Sequence, residues 1–306
     1  VNDNTAVGYQ ALTANTTGVN NVAVGFKSML VSTTASMNTA IGMFTLDALT
    51  TGASNTSVGY ASLSALTTGG SNVAVGAGAL NVNTTGEDNI GIGYYALATN
   101  TTSTGSIGIG HQALYTNTGA GNTAVGRVAG YDVTTGENNI FIGRDAGRSG
   151  SPGGAITTGS NEICLGDENI SNANIQVVWS VASDERDKTD FTALDVGLDF
   201  INDLEPLTYK WDKRSLYSKD QSVSPDGTHK ENWLDVGFTA QAVEKLEEQY
   251  GYKISDKTNL TTSLSEDGNQ YGLKYSKFVP ILVKALQELS TQVREQAKRI
   301  EELESN

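Results

Sequence analysis

The hydrophobic and polar positions of residues 1–182 repeat with a fixed short period. Each repeat contains the motif Asn-x-[small]-[Val/Ile]-Gly, then a short segment such as YQAL or YASL, then a turn rich in Thr, Asn and Gly. The motif glycines are Gly8, Gly25, Gly42, Gly59, Gly76, Gly93, Gly110, Gly126 and Gly143, with a degenerate copy ending at Gly166. Successive spacings are 17 residues six times, then 16 and 17. This period predicts a solenoid of stacked units, because one unit alone cannot bury a hydrophobic face.

Within each motif the residues alternate as they do in a β-strand. Val or Ile precedes the glycine and Thr, Val or Ile lies two residues earlier, on the face that we expect to be the core. The opposite face carries the small residues Ala6, Ala23, Ala40, Ser57, Ala74, Gly91, Gly108 and Ala124. Beyond them Asn occupies eight of nine positions, from Asn4 to Asn139, with Ser106 as the exception. We expect the small face to pack against a partner chain, and the stacked Asn side chains to form an amide ladder.

The segment after each motif glycine predicts a second short strand, so that two strands and two turns make one coil. The repeats are similar to the left-handed β-roll heads of trimeric autotransporter adhesins, which also read Asn-x-[Ala/Val]-[Ile/Val]-Gly followed by Ala. Other solenoid functions fit less well. A calcium-binding β-roll needs Asp at a repeating position, and none repeats here.

Charge divides the chain where the repeats end. Residues 1–182 hold 4 Lys and Arg, 10 Asp and Glu and 28 of the 34 Gly, whereas residues 183–306 hold 16 Lys and Arg, 24 Asp and Glu and 6 Gly. The net charge of −14 argues against nucleic acid or an anionic membrane as a partner, because both attract clustered Lys and Arg. The sequence also contains no hydrophobic segment that resembles a membrane span, so membrane insertion is not expected.

Cysteine and histidine are too scarce for metal or disulfide chemistry. Cys164 is the only cysteine, which excludes an intrachain disulfide, and His111 and His229 are the only histidines. No Cys/His metal cluster and no other cofactor is therefore expected. Cys164 lies in the degenerate motif EICLG, where we expect a buried apolar role.

The stretch VASDERDKTDF at 181–191 directly follows the almost uncharged repeats. Its Ser-Asp-x-Arg-x-Lys pattern is followed, in order, by LEPLTYKWD (204–212), VGFTAQAVEKL (236–246) and YGLKYSKFVPILVKALQEL (271–289). Together these four segments resemble the endosialidase-type intramolecular chaperone domain at the C-terminus of phage tail fibres, tailspikes and neck appendages. The resemblance covers residues 183 to about 306.

The resemblance implies a self-cleaving trimerisation domain with no external substrate. Ser183 would be the nucleophile and Lys188 its base, with the cut between Ala182 and Ser183 and with Asp184 and Arg186 as supporting residues. A Ser hydroxyl needs a neighbour to take its proton, and Lys serves only if burial or nearby cations lower its pKa. Residues five positions apart point about 140° apart on a helix and to opposite faces on a strand. The stretch must therefore turn, or the pair must form across chains.

The C-terminal segment shows the spacing of a coiled coil. Its apolar positions step alternately by four and three residues, with one polar member: Leu282, Leu286, Leu289, Val293, Gln296, Ile300 and Leu303. This pattern favours a coiled coil, although an amphipathic helix lying on its own domain would also fit. The resemblance implies that this coiled coil has three helices rather than two.

These observations predict a mainly β protein: a trimeric β-solenoid shaft at 1–182, an α+β chaperone domain at 183–275 and a coiled-coil helix at 276–306. The expected function is that of a phage tail-fibre or appendage fragment in the virion tail. It would be made in the host cytoplasm and would bind a glycan or protein receptor. The alternative is the head of a bacterial trimeric surface adhesin with a non-cleaving trimerisation domain. A carbohydrate-degrading enzyme would need a catalytic constellation that the repeats lack.

Overall fold

The computed structural model describes residues 3–176, 180–218 and 222–305. The chain forms two compact units: Val1–Ser171 with Tyr217–Ser224, and Asn172–Leu216 with Pro225–Asn306. The domain boundary expected between 182 and 183 stays a prediction.

The first unit is a parallel β-solenoid, which confirms the predicted fold class. Its ten strands form one sheet in sequence order. They are β1 Thr5–Val7, β2 Val22–Val24, β3 Thr39–Ile41, β4 Thr56–Val58, β5 Val73–Val75, β6 Ile90–Ile92, β7 Ile107–Ile109, β8 Thr123–Val125, β9 Ile140–Ile142 and β10 Ile163–Leu165. Equivalent residues of successive motifs pair with one another, as Ala23 does with Ala40. The repeat spacing therefore sets the register of the sheet.

The prediction of which strand face forms the core is wrong. Ala40 and Ala74 are fully buried inside the coil, whereas Val7 is 58% and Ile41 is 41% exposed. The interior of one coil is narrow, and buried leucines such as Leu63 from the segment after the glycine already occupy it. Only a small side chain fits opposite them, so the β-branched residues point outward. The small face is thus internal and is not available to a partner chain.

The segment after each motif glycine is a turn and not the predicted second strand. In the second coil Lys27 and Met29 have φ angles of 54° and 51°, in the left-handed region. Both still bond to neighbouring coils, because Lys27 N donates to Tyr9 O at 2.9 Å and Met29 N to Thr45 O at 3.0 Å. Hydrophobic alternation does not distinguish this turn from a strand, because left-handed residues can also occur at every second position.

The predicted amide ladder is confirmed. Asn38 Oδ1 accepts from Asn55 N at 2.9 Å and from Asn55 Nδ2 at 3.1 Å, while Asn38 Nδ2 donates to Gly52 O at 3.0 Å. These Asn side chains are fully buried, so each link satisfies polar atoms that water cannot reach. At Ser106 the backbone N–H still bonds to Asn89 Oδ1, at 3.0 Å, and keeps that part of the contact.

Compensating substitutions preserve the packing near the end of the solenoid. Phe141 replaces the small residue at the centre of β9 and is fully buried. Glycines occupy the facing positions where earlier coils have leucine: a Cβ on Gly147 would lie 2.3 Å from the Phe141 ring, and one on Gly130 would lie 2.8 Å from it. Cys164, at the centre of β10, is buried as expected, and burial raises the pKa of its thiol.

The second unit is α+β. Its helices are α1 Leu198–Asn202, α2 Ala240–Gln249 and α3 Phe278–Glu304, and its strands are β11 Leu207–Tyr209, β12 Asp235–Gly237, β13 Thr262–Leu264 and β14 Tyr271–Leu273. Strands β11 and β12 pair antiparallel, as do β13 and β14. The buried core consists of Val196, Phe200, Val243, Leu246, Phe278 and Ile281.

Helix α3 uses two different faces. Phe278, Ile281 and Ala285 are buried in its own unit. The predicted heptad positions lie on another face and are exposed, with Leu286 at 69% and Leu303 at 71%. The early turns thus anchor the helix while its heptad seam has no partner within the described part of this chain. The coiled coil itself stays a prediction.

Candidate functional site

A short turn organises the Ser-Asp-x-Arg-x-Lys segment. A 3-10 helix spans Glu185–Asp187, and Asp184 caps its start by accepting Arg186 N at 2.9 Å through Oδ1. The helix ends at Lys188, whose backbone returns to an extended conformation with φ −126° and ψ 149°. Lys188 N donates to Glu185 O at 3.1 Å, which closes the turn. The segment therefore turns between Ser183 and Lys188.

The turn brings the two predicted reactive side chains together in one chain. Lys188 Nζ lies 2.6 Å from Ser183 Oγ and 3.2 Å from Ser183 O. The spacing left open a turn within one chain or a contact between chains, and the structure contains the turn. The distance is within the range required for proton transfer between a nucleophile and its base.

Asp184 and Arg186 form an ion pair beside these two residues. Arg186 Nη2 donates to Asp184 Oδ2 at 2.6 Å, and Arg186 Nε donates to Oδ1 at 3.0 Å. The hydrogen bonds from Arg186 lower the pKa of Asp184, and the same contact raises the pKa of Arg186. The two ions are solvent-exposed, so their stabilising effect is small, but the two-point contact fixes the geometry of the turn.

The environment of the pair is open in the single chain. Ala182, Ser183 and Lys188 are all exposed. Geometry for a Ser/Lys reaction is therefore present, while the burial that favours a neutral lysine is not supplied by the described part of the chain. A protein surface that covered the turn would complete the site.

A buried carboxylate that the sequence did not predict supports the second unit. Glu247 is 1% exposed, and its two oxygens accept from the backbone N–H groups of Leu260, Thr261 and Thr262 and from both Thr hydroxyls. It joins α2 to the β13 segment. The spacing of Val243, Leu246 and Glu247 places all three on one helix face, but it does not show that the carboxylate is buried.

A second carboxylate ties α3 to α1. Glu288 Oε2 accepts Leu198 N at 2.7 Å, at the start of α1. Lys284 Nζ lies 3.3 Å from Glu288 Oε1. The bond from Leu198 N, with help from Lys284, lowers the pKa of Glu288. Lys284 and Glu288 thus orient the long helix on the unit that carries the turn.

Within residues 3–176, 180–218 and 222–305, no group of three or more His, Cys, Asp or Glu side chains is placed to hold a metal ion. No helix of the same residues combines the length and hydrophobicity needed to cross a membrane.

Fold and site together define a parallel β-solenoid followed by a non-repetitive α+β unit that contains a Ser/Lys turn. Residues 183–252 match the family model described as chaperone of endosialidase. The chain therefore carries an intramolecular chaperone domain of the endosialidase type, and this domain, combined with a β-solenoid, fits a tail-fibre-type protein that oligomerises. No curated protein and no solved structure matches the chain.

Proposed function

We propose that this chain is a fragment of a phage tail fibre or appendage that works as a homotrimer in the virion tail. Its C-terminal domain, 183–306, aligns three chains, and residues 1–182 form the shaft that reaches a host glycan or protein receptor. The domain then cuts itself off between Ala182 and Ser183. The observation that carries the proposal is the contact between Lys188 Nζ and Ser183 Oγ at the first residues of the matched segment.

The cleavage chemistry follows from that contact. Neutral Lys188 takes the proton of Ser183 Oγ, and the oxygen attacks the carbonyl carbon of Ala182. The bond from that carbon to Ser183 N then breaks, and the nitrogen receives the proton from Lys188. The resulting ester joins Ala182 to Ser183 Oγ. Water hydrolyses it, which leaves a carboxylate on Ala182 and restores the Ser183 hydroxyl.

Assembly supplies the missing burial. A lysine loses its proton near neutral pH when it is desolvated or lies beside other cations. The turn is exposed in the single chain, and so is the heptad seam of α3. Strand β12 and its flanking residues add further exposed apolar groups, including Trp233, Leu234 and Val236. Packing three copies through such surfaces covers apolar area and places each turn among other chains, so cutting follows assembly.

The repeats explain why a separate aligning domain is needed. Coils with nearly identical sequence pair almost equally well when one chain slips by a whole repeat, because only the terminal contacts are lost. A non-repetitive domain at one end removes this ambiguity. After cleavage the shaft trimer cannot readily unfold and reform, so it is held by a kinetic barrier.

The adhesin alternative uses the same shaft without cleavage. The match to a chaperone of endosialidase and the preformed Ser/Lys contact favour the tail-fibre function.

The proposal is tested with two samples of the shaft. One is residues 1–182 expressed alone, and the other is the same segment released from the full chain by cleavage. We expect the first to aggregate or form mixed assemblies and the second to remain a soluble, detergent-resistant trimer. A resistant trimer formed in good yield by the directly expressed shaft would show that the C-terminal domain does not set register.

A further inference from the structure

The outward face of the solenoid sheet is uniform in chemistry. Each three-residue strand points its first and third side chains outward. These residues are Thr5, Val7, Val22, Val24, Thr39, Ile41, Thr56, Val58, Val73, Val75, Ile90, Ile92, Ile107, Ile109, Thr123, Val125, Ile140, Ile142, Ile163 and Leu165. All of them are Val, Ile or Thr except Leu165, and none is charged. We call this set the β-branched stripe.

The stripe is open to solvent in the single chain. Val125 is 39% and Ile142 is 47% exposed, although both side chains are apolar. In five coils the residue after the motif glycine adds an exposed aromatic or Met side chain: Tyr9, Phe26, Met43, Tyr60 and Tyr94. The equivalent residues of other coils include Ala77, His111, Arg127 and Arg144. Parallel sheets are normally covered on both faces, so an outer face of Val, Ile and Thr without a charged residue indicates a surface that another molecule covers.

We infer that the β-branched stripe is the surface through which copies of this chain pack against one another in the shaft. The inference rests on the proposed homotrimer and identifies its contact. The stripe repeats with the rise of one coil over ten strands, and a second copy of the chain has the same repeat, so side chains can match along the whole length. Thr hydroxyls are the stripe's few polar side-chain groups, so a glycan or an acidic partner would find little to bind by hydrogen bonds or charge.

The stripe runs along the whole sheet. Its ten strands are separated by nine spacings of about 4.8 Å, which gives a length of about 43 Å. A contact along the stripe would therefore involve every coil and not only one end of the shaft.

The stripe also accounts for the register problem. The outward pairs of successive coils are similar, because all their residues except Leu165 are Val, Ile or Thr, so a slip of one coil changes the contacts little. Alignment must then come from outside the stripe, which is the role proposed for the C-terminal domain.

Cysteine cross-linking of the full chain tests the inference. Val125→Cys places a thiol on the stripe, whereas Ala124→Cys, one residue earlier, places it inside the coil. Native Cys164 occupies that same inner position in β10, so the fold accepts Cys there, and its burial keeps it unreactive. Each variant, together with Val75→Cys at mid-shaft, is oxidised or treated with a short bis-maleimide and run on a denaturing gel after its native mass is measured.

We expect covalent dimers from Val125→Cys and from Val75→Cys. We expect none from Ala124→Cys or from the unsubstituted chain. A trimeric native mass without cross-links at either stripe position, or with equal cross-linking in Ala124→Cys, would overturn the inference and leave the proposed function standing. A monomeric native mass of the unsubstituted chain would instead overturn the trimer on which the inference rests.

Discussion

Lys188 Nζ lies 2.6 Å from Ser183 Oγ, although the two residues are five positions apart and no regular helix or strand would pair them. The 3-10 turn between them makes the contact, and the Asp184–Arg186 ion pair holds the turn. The contact is preformed in one chain, so chain assembly needs to change only its environment.

The first prediction concerns this contact. Ser183→Ala removes the nucleophile and Lys188→Ala removes the base, so both should abolish cleavage. Lys188→Arg keeps the positive charge but provides a group that is not deprotonated in proteins, and it should also remain uncut. Asp187→Ala, in the same turn, should be cut as the unsubstituted chain is. Denaturing gels over time give the result. Cutting of Lys188→Arg at the normal rate would rule out Lys188 as the base.

The second prediction concerns the amide ladder. Asn72 N and Nδ2 bond to Asn55 Oδ1, Nδ2 also bonds to Gly86 O at 2.9 Å, and Asn72 Oδ1 accepts Asn89 N at 3.0 Å. Asn72→Ala leaves buried partners unsatisfied and should destabilise the shaft by about 3 kcal/mol. Urea unfolding followed by circular dichroism measures the change. Thr85→Ala, at an exposed turn position of the same coil, is the control. Equal midpoints for the two variants would contradict a stabilising ladder.

The third prediction concerns Glu247. Glu247→Gln removes the charge and turns an NH₂ group toward backbone and hydroxyl donors, so we expect the chaperone domain to lose about 3 kcal/mol of stability. Glu248→Gln changes the neighbouring exposed carboxylate and should alter stability little. Thermal unfolding of both variants in the uncut Ser183→Ala background compares them directly. A melting temperature of Glu247→Gln equal to that of Glu248→Gln would show that the carboxylate is dispensable.

The fourth prediction is a pH dependence. The Tyr252 hydroxyl donates to Asp195, and this hydrogen bond raises the pKa of Tyr252 from 10.0 to about 12. Because the folded-state pKa is the higher one, the stabilisation is complete below pH 10 and is lost as the pH rises toward about 12. Tyr252→Phe should be less stable below this window and should show a flatter decline across it. Parallel curves for the two proteins in denaturant titrations would contradict the assignment.

The sequence predicted the solenoid because the motif spacing directly gives the strand pairing, as in the alignment of Ala23 with Ala40. It did not predict which face is internal. Alternation places Val24 and Ala23 on opposite faces of the strand, but it does not say which face is internal. The internal face is decided by the space inside the coil, which leucines such as Leu46 and Leu63 already occupy. Hydrophobicity alone favours burial of the larger Val24, but the small volume inside the coil admits only Ala23.

Ser183 and Lys188 were found through resemblance, and their five-residue spacing left the geometry open. The turn depends on Asp184 capping the N–H of Arg186, which is a local interaction that spacing rules do not contain. Glu247 was missed because a carboxylate on an apolar helix face is usually solvated. Only its contacts with Thr261 and Thr262 reveal the burial.

The central claim is that three chains assemble and then cut themselves at one bond. The most direct measurement is the native and the denaturing mass of freshly expressed chain, alongside Ser183→Ala. We predict a native trimer whose denatured components are residues 1–182 and 183–306. For Ser183→Ala we predict a trimer of intact 32.2 kDa chains. A monomer, or a cut at any other bond, or a Ser183→Ala chain that is still cleaved, would contradict the account.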